Sequence, residues 1–129
     1  MDVKAVAAVI FVTFALGVVG FQLALAAGAP WGAYAMGGRF AGRFPPSMRV
    51  AAVIQGLVIA LLAAIVLATA GLALETSALA SSWTIWIVVA FSGTTLVMNL
   101  LSRSKSERRL WVPVAVVMVA SSLVVALVG

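Results

Sequence analysis

Val50-Ala-Ala-Val-Ile-Gln55-Gly-Leu-Val-Ile-Ala60-Leu-Leu-Ala-Ala-Ile65-Val-Leu-Ala-Thr-Ala70-Gly-Leu-Ala-Leu74 contains no Asp, Glu, Lys or Arg. A helix rises about 1.5 Å per residue and the hydrocarbon core of a bilayer is about 30 Å thick, so roughly 20 apolar residues suffice to cross it. In hydrocarbon a backbone must find its hydrogen bonds within protein, which leaves the α-helix or the closed barrel. Barrel strands alternate polar and apolar residues, and this run does not. It predicts a membrane-crossing helix.

Working outward, residues 5–29, 83–101 and 110–128 read the same way, each apolar and free of formal charge. The expectation is an all-α protein, an integral membrane four-helix bundle formed as a single domain over residues 1–129. Composition agrees: hydrophobic residues make up 65% and charged residues 9%, against about 25% charged in soluble globular chains. So few charges could not cover a water-facing surface. The first run has the outline of a secretory signal, with Lys4, an apolar stretch and Ala24-Leu25-Ala26. It is nevertheless longer than the roughly 7–15 apolar residues of such signals, and reads as a retained span.

The basic residues set the orientation. There are eight Lys and Arg against three acids, for a net charge of +5. All the basic residues but Lys4 fall in two loops: Arg39, Arg43 and Arg49 in the first, and Arg103, Lys105, Arg108 and Arg109 in the third. With four spans these loops share a side, and positive charge favours the cytoplasm. Loops 30–49 and 102–109 are therefore expected to be cytoplasmic, with both termini and the Glu75 loop outside. This clustering fits membrane orientation and anionic headgroups better than nucleic acid, which is not expected as a partner.

Local signals mark the boundaries. Pro30 and the glycines after it are expected to close the first helix. Ser104 and Glu107 have the spacing of a capping box that would start the fourth. Trp31, Tyr34 and Trp111 suit one membrane interface, Trp83 and Trp86 the other. Pro113 is expected to bend the fourth helix locally.

Three constellations stand out. Ala52, Gly56, Ala60, Ala64 and Ala68 recur every fourth residue and form a candidate packing ridge, echoed by Gly20, Ala24 and Gly28 in the first helix. Gln22, Gln55 and Asn99 fall at similar depth, and Ser92, Thr94 and Thr95 continue the polar character of the third helix more deeply; Gln22, Gln55, Thr95 and Asn99 read either as interhelical hydrogen-bonding groups or as a cytoplasm-facing polar pocket. The glycine-rich first loop could offer backbone N–H groups with Arg39 and Arg43 to a phosphate, or lie on lipid headgroups.

Gly28-Ala-Pro-Trp-Gly32, Gly37-Gly38-Arg39, Pro45-Pro46 and Arg49, followed by Asn99, Ser102-Arg103-Ser104, Glu107-Arg108, Trp111 and Pro113-Val114-Ala115, resemble a group of small, uncharacterised four-span bacterial membrane proteins of actinobacterial type. The resemblance implies a bacterial inner-membrane setting and two cytoplasmic loops that work together. It brings no activity. Small multidrug transporters rely on a Glu in their first helix, which this chain lacks, and the characteristic motifs of fluoride channels are missing as well.

Chemistry is narrowly bounded. Cysteine and histidine are absent, so no thiolate or imidazole can ligate a metal or act as a nucleophile–base pair. Asp2, Glu75 and Glu107 lie outside the apolar runs, where a cap or a turn accounts for each. No cofactor, metal site or catalytic residue is expected, and the chain is not read as an enzyme. The leading expectation is a binding protein that engages itself, a larger membrane complex or anionic lipid. Arg39, Arg43, Arg49, Arg103, Arg108 and Arg109 would form the lipid-binding face, each worth about 1 kcal/mol near an anionic surface. The alternative is an oligomeric channel or non-proton-coupled transporter lined by Gln22, Gln55, Thr95 and Asn99.

Overall fold

The computed structural model describes residues 2–128. Its framework is four α-helices: α1 (Val3–Ala26), α2 (Pro46–Thr69), α3 (Thr84–Leu100) and α4 (Lys105–Leu127). Short 3₁₀ turns at Gly32–Tyr34, Met36–Gly38 and Ala78–Ala80 shape the first and second connections. No strand occurs among the described residues. α1, α2 and α4 are long and apolar enough to cross a membrane, while α3 is a shorter apolar helix of 17 residues.

The helices begin and end for local reasons. The Asp2 carboxylate accepts the Ala5 N–H at 2.7 Å and starts α1, satisfying one of the amides left over at a helix N-terminus. α1 stops three residues before the expected end. Gly28 turns left-handed (φ 101°), and the Ala29 and Gly28 N–H groups return to the Ala24 and Leu25 carbonyls at 2.9 and 3.1 Å. This Schellman closure precedes Pro30, so Gly28, rather than Pro30 and the glycines after it, ends the helix. α2 starts at Pro46, four residues earlier than expected, because a proline preset to helical φ serves well in the first turn. α4 runs through Pro113 as one continuous helix.

α1 packs on both α2 and α4, and α4 packs on α3, while α2 meets α3 more lightly. Their shared core contains Phe11, Ala15, Ile59, Val66, Val88 and Val125. Outside it the helices remain oily: Leu16, Leu57, Leu61, Val97 and Met98 are all more than half exposed. Apolar exposure on this scale is rare on monomeric soluble proteins. A smaller core of Leu25, Phe44 and Ala52 lies at the end of the helices that carries the long first loop.

The α2 ridge is only partly buried. Ala52, Gly56 and Ala68 are buried, Ala64 is half-buried and Ala60 is exposed. Steps of four residues advance 40° around a 3.6-residue helix, so the row winds around α2, leaving the face that buries Ala52 and Gly56 at Ala60 and meeting protein again at Ala68. The buried positions instead run Ala52, Gly56, Ile59, Ala63 and Val66, alternating steps of four and three. Within the ridge Gly56 faces α1: a Cβ there would lie in ordinary contact, 3.6 Å from Gln22 Cβ.

Candidate functional site: the basic loop cluster

The first and third loops fold together. The chain turns sharply after Pro30, and Gly32 N–H donates to the Gly42 carbonyl at 2.8 Å, closing the first loop on itself. Phe44 is buried beneath it, with Phe40 meeting it edge-on at 6.0 Å. Phe21 of α1 contacts Trp31 of the loop (6.2 Å, stacked) and Trp111 of α4 (4.7 Å, edge-on). These aromatic contacts pin the loop over the α1–α4 side of the molecule.

Hydrogen bonds complete the join. Trp111 Nε1 donates to the Tyr34 carbonyl at 2.7 Å, and Ser104 Oγ donates to the Ala33 carbonyl at 2.7 Å. Ser104 Oγ also accepts the Glu107 N–H at 3.1 Å, the expected N-cap of α4. The reciprocal half of the capping box is replaced. The Ser104 N–H donates instead to Ser102 Oγ at 3.1 Å. Glu107 Oε2 accepts the Gly37 N–H and the Ser102 hydroxyl, each at 2.7 Å. The carboxylate thus links loops 70 residues apart in sequence.

This arrangement revises the phosphate cradle considered for the first loop. The Gly37 N–H that could have met a phosphate is taken by the chain's own Glu107. The arginines divide as well. Arg39, Arg43, Arg103 and Arg109 are exposed, whereas Arg49 and Arg108 have structural partners. Arg49 Nε donates to the Phe44 carbonyl at 2.9 Å, and its guanidinium lies beside Gly28, just past the C-terminus of α1, where the helix dipole favours a cation. Arg108 Nη1 donates to the Ser102 carbonyl.

The polar set is shared among three helices. Gln22 lies beside Gly56 at the α1–α2 contact, with Gln55 next to that glycine in sequence, whereas Thr95 and Asn99 are on α3, which packs mainly on α4. Asn99 is buried and the other three are half-buried. None of the four lines either of the two surface grooves described below. Ser92, deeper on α3, is a buried hydroxyl with no hydrogen-bond partner among the described residues.

Gly32 and Ser102 stood in the sequence only as motif residues, and their structural roles were not legible there. A Cβ on Gly32 would lie 1.8 Å from the Phe40 carbonyl oxygen, and Ser102 relays between Glu107 and the Ser104 amide. The Ser-Arg-Ser spacing before Glu107 was the available signal for Ser102. Nothing in sequence marked Gly32 out from the neighbouring glycines. The chain matches no protein-family model, no curated protein and no solved structure.

Proposed function

We propose that this chain is a four-span integral membrane protein, with both termini outside, whose cytoplasmic loop cluster binds anionic lipid headgroups. One observation carries the binding reading. Loops 30–49 and 102–109 hold seven basic residues and a single acid, and that acid, Glu107, is consumed by Gly37 and Ser102. Arg39, Arg43, Arg103, Lys105 and Arg109 stand exposed on a folded platform with no nearby loop carboxylate left free.

The span assignment rests on the exposed apolar faces and on helix length. α3, at 17 residues, sits at the short end of the range for a spanning helix. Trp83 and Trp86 at its start are exposed, as interfacial anchors are.

Spin-labelled lipids report the test. In mixed vesicles the reconstituted protein should prefer phosphatidylglycerol over phosphatidylcholine in its motionally restricted shell. Changing Arg39, Arg43, Arg103 and Arg109 together to Gln should remove most of that preference, since each cation contributes about 1 kcal/mol. An unchanged preference in the quadruple variant would reject headgroup binding by this face.

A further inference from the structure

Two apolar grooves run between α1 and α4. The larger, about 500 Å³, is lined by residues including Val3, Val6, Ile10, Val116, Ala120 and Val124, near the end that carries the chain termini. The second, about 380 Å³, is formed by Thr13, Phe14, Gly17, Val18, Trp111 and Val114. It lies on the side of the basic loop cluster, because Trp111 at its upper edge is hydrogen-bonded to Tyr34 of the first loop.

The chemistry of the second groove selects its occupant. Its two side-chain hydrogen-bond donors are already used: Thr13 Oγ1 donates to the Val9 carbonyl at 2.8 Å, and Trp111 Nε1 donates to the Tyr34 carbonyl. A polar ligand would find no free side-chain donor there and only the Thr13 hydroxyl oxygen as an acceptor, so hydrocarbon suits the groove better. Gly17 is exposed and an added Cβ would meet nothing within 4 Å, so the groove is open at its middle. At about 1.5 Å per residue, Gly17 lies roughly 14 Å below the end of α1, at acyl-chain depth. The loops at that end supply the charge that an anionic headgroup requires, while the termini end offers Lys4 as its one basic side chain.

We propose that the groove beneath Trp111 seats one acyl chain of an anionic phospholipid whose headgroup lies against the basic loop cluster. This rests on the headgroup reading above and adds a defined site to it. Trp111 then has two tasks: its indole N–H ties α4 to the first loop, and its ring walls the groove. The larger groove serves as the internal control, since it is equally apolar and has no basic loop above it.

The test uses the full chain in phosphatidylglycerol–phosphatidylcholine nanodiscs, released for native mass spectrometry. Wild type should retain phosphatidylglycerol in excess. Gly17→Leu, which fills the groove, should reduce the retained phosphatidylglycerol about tenfold, while Ala120→Leu in the other groove should leave it unchanged. Wild-type retention in Gly17→Leu, or an equal loss in Ala120→Leu, overturns the site and leaves headgroup binding standing. Absence of any phosphatidylglycerol excess in wild type overturns the headgroup reading itself. A second measurement does not depend on the glycine variant folding. With Trp31, Trp83 and Trp86 changed to Phe, Trp111 is the sole indole, and chain-brominated phosphatidylglycerol should quench it more strongly than brominated phosphatidylcholine at equal mole fraction. Equal quenching by the two lipids overturns the site.

Discussion

A Cβ on Gly32 would lie 1.8 Å from the Phe40 carbonyl oxygen and 2.7 Å from that of Gly42, and both obstacles are backbone. Neither can rotate aside as a side chain would, so Gly32→Ala must open the first loop. Its cost should be about 3 kcal/mol, the upper part of the usual range for single substitutions. The readouts are a lower melting midpoint in mild detergent and red-shifted tryptophan emission as Trp111 parts from Tyr34; melting at the wild-type midpoint would refute the close approach. Glu107 makes a graded counterpart. Glu107→Ala strands the Gly37 N–H and the Ser102 hydroxyl, at about 1–3 kcal/mol. Glu107→Gln keeps an acceptor oxygen in place and should lose less. Equal losses in thermal unfolding would mean that charge, rather than hydrogen bonding, joins the loops. These roles were hard to read in sequence because they depend on where distant carbonyls and amides fall. The S-x-x-E spacing identified Ser104 as a cap but could not show that Glu107 would turn to Gly37. Arg49 and Arg108 likewise looked equivalent to the exposed arginines until the Phe44 and Ser102 carbonyls were placed.

At the scale of elements, absence of charge identified all four apolar runs as helices, and the boundaries moved where a charge or Pro30 was used as a marker. Arg49 was taken to lie before the second helix, yet α2 extends back to Pro46 and includes it, because a cation in the first turn does not stop a helix when proline has already set the backbone. The fourfold ridge shows a related effect: sequence spacing found the small residues, and helical geometry decides which of them face protein. Gly56 and Ala60 therefore make a direct comparison. Gly56→Leu pushes into the α1 contact beside Gln22 and should destabilise by about 1–3 kcal/mol, as overpacking does. Ala60→Leu adds bulk to an exposed position and should stay within about 0.5 kcal/mol. Unfolding of the two variants by denaturant in the same detergent decides the matter. Equal losses would restore the straight ridge as the packing face, or place Ala60 against a second copy of the chain.

For the whole molecule, orientation is the property on which the basic face depends, and the charge distribution argues for it quantitatively. The loop end carries seven basic residues and one acid, a difference of +6, whereas the other end has Lys4 against Asp2 and Glu75. Carrying each positive charge outward against the membrane potential costs about 2.3 kcal/mol per 100 mV, so the inverted arrangement is strongly disfavoured. The absence of cysteine from the sequence makes this testable on the purified chain after labelling, since an introduced thiol is the one site of reaction within residues 1–129. Ser47 at the start of α2 and Ser82 before α3 are both exposed and lie at opposite ends of the assigned second span. In intact cells a membrane-impermeant maleimide should label Ser82→Cys and spare Ser47→Cys; after permeabilisation it should label both. Labelling of Ser47→Cys alone in intact cells would invert the assignment and place the arginines outside, away from the cytoplasmic leaflet. Labelling of both sites in intact cells would remove the second span, and with it the even number of crossings that puts the two basic loops on one side.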